Sequence, residues 1–182
     1  MRRLLLGLVG VLVMLLVPAQ ALAIPFDPAE ASLTADDVPP GYELDPDNTG
    51  SAEYGPVDYF QAAFRRSTEG VVDGTITAVI GLSKVGPIAG LLENTMGGML
   101  GSMGEGGQAA APTTGPSIGE RSYWYALSLE EDGVQYDGFA VGFVQGDGIA
   151  IVSLGGFAGQ ATIDQTADLA SIIAGRLFNP NR

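Results

Sequence analysis

The chain contains no histidine and no cysteine among its 182 residues, and its only lysine is Lys84. Without imidazole or thiol, Ser-His-Asp and Cys-His nucleophile systems cannot be assembled, most zinc sites lose their ligands, and no side chain titrates unperturbed near neutrality. Disulfide staples are excluded too, so the fold must stand on its hydrophobic core. A lipobox anchor is likewise impossible. Positive charge is scarce: eight Lys and Arg face 21 Asp and Glu, a formal net charge of -13. Nucleic acid and anionic membrane are poor partners for that balance, because phosphate binding needs cations to displace counterions.

Long apolar runs are absent after the N-terminus. Residues 1–23 carry Arg2 and Arg3, an apolar stretch from Leu4 to Val17, then Pro18 and the small-residue site Ala21-Leu22-Ala23. This is the three-region pattern of a secretory signal peptide; an uncleaved anchor is the alternative. The apolar stretch falls short of the roughly 20 residues of a spanning helix. Cleavage after Ala23 would remove two of the eight cations and none of the acids, taking the charge from -13 to -15. It would release a protein of 159 residues outside the cell, with no stable membrane insertion, enough for one core.

Residues 24–56 mix Pro, Asp and Gly with scattered apolar positions and read as an irregular lead-in; residues 57–182 follow as a single α+β domain. Val57 to Ser67 fits a strand, although Phe60 and Phe64 are also spaced as on a helix. From Thr75 to Leu82 the apolar residues Ile76, Ala78, Ile80 and Leu82 alternate with period two, completing a hairpin. Helical spacing then places Ile88, Leu91, Leu92, Met96, Met99, Leu100 and Met103 on one face, interrupted by Gly97 and Gly98. The stretch 104–117, GEGGQAAAPTTGPS, reads as a flexible Gly/Ala/Pro linker.

Beyond Arg121, Asp132-Gly133 and Gly146-Asp147-Gly148 have hairpin-turn chemistry and divide three apolar runs into an antiparallel meander. If two-residue turns set the register, Trp124, Ala126, Phe139, Val141, Phe143, Ala150, Val152 and Leu154 share one face. Tyr123, Tyr125, Tyr136 and Gly138 then lie on the other. That second face is also too apolar for water and should be covered. The final helix opens with a capping box, Thr162 with Gln165, and lines up Ile163, Ala167, Ala170, Ala174 and Leu177. The expectation is an antiparallel sheet of about five strands packed with two main helices, in two or three layers.

Three motifs carry candidate chemistry. Met96, Met99 and Met103 place three thioethers on one helical face, which suits core packing, an adaptable apolar groove, or Cu(I). The acidic turn DPDNTG, residues 45–50, starts like an EF-hand loop with Asp45, Asp47 and Thr49 and has Gly50 sixth, yet Pro56 stands where the twelfth-position glutamate belongs. Turn formation through Asp and Asn side chains explains it without metal; a weak calcium site is the alternative. Tyr123, Tyr125, Tyr136 and Gly138 form a possible ligand surface, since strand glycines mark close approach of a ligand or another backbone.

The segments IGERSYWY, VGFVQGDGIAIVSLGG and ADLASIIAGRL, with the lead-in SLTADDVPPGYEL, together resemble exported bacterial α/β-sandwich domains of the PsbP-like, LpqN-like lipoprotein and kinase sensor-domain type. The resemblance implies a binding or sensing module and transfers no catalytic residues. The expectation is a secreted, non-enzymatic module without a cofactor that holds an apolar small molecule, a lipid or a partner protein between the methionine helix and the sheet. A carboxylate-based hydrolase and a ligand-free structural envelope protein are the alternatives.

Overall fold

The computed structural model describes residues 27–83, 108–131 and 133–178. The expected signal peptide (1–23) and methionine helix, with Met96, Met99 and Met103, lie outside these residues. Among the described residues, two helices and eight strands make an α+β architecture: α1 (Pro28–Ala31), β1 (Tyr42–Leu44), β2 (Gly50–Tyr54), β3 (Val57–Thr68), β4 (Val71–Ser83), β5 (Gln108–Thr113), β6 (Arg121–Glu131), β7 (Val134–Gln145), β8 (Gly148–Phe157) and α2 (Ile163–Leu177).

One antiparallel sheet runs in the order β1-β3-β4-β8-β7-β6-β5, with β2 also pairing β3. Tight turns built by chain chemistry hold its hairpins. Gly133 (φ 76°) and Gly146 (φ 58°) take the left-handed conformations that two-residue hairpin turns require. The meander register is as the alternation predicts: Trp124 pairs Val141, which pairs Val152, while Tyr123 pairs Gly142 and then Ile151.

The sheet is larger than the expected five strands because two segments read as irregular join its edges. Residues 42–44 and 50–54 of the lead-in both pair with β3, and the 108–113 part of the expected linker pairs with β6. Neither segment has strong strand propensity. Each is recruited because the outer edges of β3 and β6 present unpaired N–H and C=O groups that need partners. Pro112 is tolerated because β5 is an edge strand. The residues after β5 are also fixed: the Trp124 indole donates to the Pro116 carbonyl at 2.8 Å, and Gly115 lies so close to that ring that a β-carbon would come within 2.5 Å of it.

Both described helices lie on one sheet face. There Phe64, Ile76, Ala78, Ile80, Trp124, Val141, Phe143, Ala150, Val152 and Leu154 form the main core with Leu169, Ala170 and Ile173 of α2 and Ala31 and Leu33 of the lead-in. The α2 cap is as expected, with Thr162 Oγ1 accepting from the Gln165 N–H at 3.2 Å. Its buried stripe is rotated from the expected one: Leu169 and Ile173 are buried, whereas Ile163, Ala174 and Leu177 are its partly buried flanks. Arg176 clamps the lead-in to this helix, donating to the Ser32 carbonyl and pairing with Asp37 at 2.8 Å. Among the described residues, no helix is long and apolar enough to cross a membrane.

Candidate functional site

On the opposite sheet face, Val144, Ile149 and Ile151 form a separate cluster at 3, 2 and 4% exposure, flanked by Tyr59, Tyr123 and Tyr125. Neither α1 nor α2 belongs to this cluster. It arises from strand parity. Tyr59 pairs Gly81, Gly81 pairs Ile149 and Ile149 pairs Val144, so one row across four strands carries an aromatic ring, a gap and two aliphatic side chains. The Tyr59 ring occupies the gap: a β-carbon on Gly81 would lie 2.7 Å from Tyr59 Cε1 and 3.1 Å from Ile149 Cγ1. In the adjacent row Tyr123 stands across from Gly142 and Ile151. Further along β4 and β8, Thr75, Thr77 and Ser153 replace aliphatic residues and separate this cluster from Leu129, Tyr136 and Phe157 at the other end of the face.

The Tyr59 hydroxyl is buried in this setting and finds no hydrogen-bond partner among the described residues. Burial pushes its pKa up to about 12, so the group is a neutral phenol at physiological pH.

The residues singled out from sequence divide between the two ends of this face. Tyr123 and Tyr125 flank the apolar cluster, whereas Tyr136 lies at the far end, pairing Leu129 and Phe157 with its ring 5.3 Å from that of Phe157. Gly138 is buried, and the close approach it permits is by backbone: a β-carbon would overlap the Leu154 carbonyl and lie 2.9 Å from the Gly155 Cα. Sequence reasoning missed Tyr59, although its period-two position with Gln61 and Ala63 assigns it to the face opposite Phe60, Ala62 and Phe64.

Asp45, Asp47 and Thr49 sit where the edge pairing with β3 is interrupted between Leu44 and Gly50. Asp45 caps the short 3-10 turn Pro46–Asn48, accepting from the Asp47 N–H at 3.3 Å and from Asn48 Nδ2 at 2.8 Å. Thr49 Oγ1 accepts from the Ala63 N–H at 3.1 Å and so takes over a ladder position. The Asp45 carboxylate and the Thr49 hydroxyl, oxygens a cation would use, are the ones that shape the excursion. Among the described residues, no three acidic side chains gather to hold a metal.

A polar network lies on the helix-bearing face. Arg66 Nε donates to Asp73 Oδ1 at 2.9 Å, Arg66 Nη2 donates to Gln160 Oε1 at 2.6 Å, and Thr68 Oγ1 donates to Asp73 Oδ2 at 2.7 Å. The Arg66 guanidinium also stands 5.1 Å from the centre of the Tyr42 ring. A cleft of about 40 Å³ opens beside it, lined by Pro39, Tyr42, Arg66, Leu154, Gly155, Gln160, Ala161 and Gln165.

Two acids are held below the usual carboxylate range. Burial alone would raise Asp37, but the Thr34 N–H and hydroxyl and the Arg176 guanidinium outweigh it; the Thr68 hydroxyl and Arg66 lower Asp73. A depressed folded-state pKa adds stability that is complete above the unfolded value of about 3.9 and is lost as pH falls through the folded value. The urea midpoint is therefore expected to hold from about pH 8 to 5 and to fall below about pH 4. The fall should be shallower in the Asp37→Asn and Asp73→Asn variants.

No known family profile, PsbP-like or LpqN-like included, matches the chain, and no curated protein sequence matches it. Among solved structures it is similar to the extracellular domain of PknH from Mycobacterium tuberculosis, with a TM-score of 0.45 and 8% identity. The match covers 66% of this chain and 63% of that one, less than two thirds of its length. At this level no residue role passes from one chain to the other.

Proposed function

We propose that the protein is an exported, non-enzymatic binding module whose ligand is an apolar small molecule or lipid with one polar group. The site is the end of the second sheet face bounded by Tyr59, Tyr123 and Tyr125; the Met96, Met99 and Met103 stripe read from the sequence lies outside the described residues. The observation that carries this reading is the buried, unpartnered Tyr59 hydroxyl among apolar side chains. Such a group costs about 1–3 kcal/mol, a cost that a ligand's polar group can offset. The surrounding aliphatic and aromatic residues supply the apolar lining typical of small-molecule sites. Export rests on the N-terminal leader pattern. The non-enzymatic reading rests on the missing imidazole and thiol and on the engagement of Asp37, Asp45 and Asp73 in structural hydrogen bonds.

Native mass spectrometry of protein purified from its own host tests this. A retained apolar molecule is expected; a spectrum of ligand-free protein alone would sink the reading. Tyr59→Phe is a second check, because removing an unsatisfied hydroxyl should stabilise the ligand-free protein by about 1 kcal/mol while weakening ligand retention. A destabilised Tyr59→Phe protein would mean that the hydroxyl already has a partner.

A further inference from the structure

We propose that the cleft between Tyr42, Arg66, Gln160 and Gln165 is a binding site for the carboxylate group of a small molecule. It lies on the helix-bearing face and stands independently of the apolar site on the opposite face.

Glycines make the room. Gly74 and Gly156 are paired across β4 and β8. A β-carbon on Gly74 would lie 2.5 Å from the Tyr42 hydroxyl and 3.3 Å from Arg66 Nη2, and one on Gly156 would lie 3.4 Å from Gln160 Oε1. The two central strands are thus bare where these side chains gather.

Donors dominate the rim. A guanidinium offers five N–H groups, and the bonds to Asp73 and Gln160 engage only part of that set. Burial raises the Tyr42 pKa, so its hydroxyl keeps the proton it can donate. Gln165 accepts from the Thr162 hydroxyl through Oε1 at 3.1 Å, leaving its amide N–H groups as donors. Among the described residues lining the cleft, Arg66 is the one that carries charge. The first turn of the 15-residue helix α2, where Gln165 sits, adds positive potential of the same sense. Leu154, Ala161 and Pro39 provide apolar walls that strengthen these interactions by limiting water.

Size and charge limit the ligand to a small anionic group. The cleft, about 40 Å³, has room for a small polar group. The planar fork of arginine also matches carboxylate geometry.

The test is a titration of the isotopically labelled protein with sodium acetate, against sodium chloride at matched ionic strength. It follows the Arg66 Nε–H and the Gln160 and Gln165 side-chain amides by NMR. Saturable shifts are expected, with a dissociation constant on the order of 1–10 mM for so small a probe. Binding should weaken at least about tenfold in Arg66→Gln, which removes the charge. The same loss is expected in Gln165→Glu, which puts a carboxylate at the rim. Glutamate suits that exposed capping-box position, so this variant decides the matter if Arg66→Gln fails to fold. Shifts that chloride reproduces, that never saturate, or that persist in Gln165→Glu would overturn the proposal.

Discussion

Phe143→Ala is expected to lower the unfolding free energy by about 3–5 kcal/mol, a large part of the 5–15 kcal/mol typical of a domain. Phe143 is 0% exposed and sits on β7 between Ser122 and Ala150, under the layer that contains Leu169 and Ile173. The segment entering β6 closes its far side: a β-carbon on Gly119 would lie 3.2 Å from Phe143 Cδ2. The Glu120 N–H, donating to the Val144 carbonyl at 2.9 Å, ties this loop to β7 and limits collapse into the cavity left by truncation. Urea unfolding should show a lower midpoint with an unchanged slope. Val71→Ser, at a position 53% exposed, should change stability by less than about 0.5 kcal/mol.

Gly138→Ala is expected to destabilise the ligand-free protein by about 2–3 kcal/mol, as overpacking in a rigid setting does. The added methyl would meet backbone, the Leu154 carbonyl and the Gly155 Cα, and backbone in a paired strand cannot rotate aside as a side chain can. If Gly138 instead cleared space for a ligand, the same substitution would reduce ligand retention and leave ligand-free stability nearly unchanged. Gly175→Ala serves as a control of opposite sign. That position lies in α2, is exposed, and has nothing within 4 Å of an added β-carbon, so alanine should stabilise by about 0.5–1 kcal/mol. Thermal unfolding of the two variants side by side separates close packing from a general response to removing glycine.

Much of the fold on the C-terminal side was legible because its signals are local. Asp132-Gly133 and Gly146-Asp147 fix two turns, those turns fix the register of β6, β7 and β8, and period two then assigns every side chain in the meander to a face. The Thr162 cap marks the start of α2 in the same way. By contrast, β1, β2 and β5 carry little signal of their own. YEL, GSAEY and QAAAPT become strands because neighbouring strands offer unsatisfied backbone groups, and a side-chain pattern cannot announce a requirement located elsewhere in the chain.

The candidate sites divide along the same line. Tyr123, Tyr125, Tyr136 and Gly138 could be placed on one face from alternation alone. Where the buried aliphatic cluster forms on that face required the β4–β8 pairing, which brings Tyr59 and Gly81 to Ile149. The polar cleft is less local still: Arg66 and Gln160, joined by a hydrogen bond, are 94 residues apart.

By itself the sequence determined an acidic chain without imidazole or thiol chemistry, an apolar N-terminal leader pattern, and a meander followed by a capped helix. Those follow from composition and from contacts between near neighbours. Only the tertiary structure decided that DPDNTG is an excursion in an edge strand, that Gly138 accommodates backbone, and that Tyr59 and Arg66 lie on opposite faces. Each of these depends on which distant strand lies alongside, and that choice is made by backbone pairing and shared burial across the whole sheet.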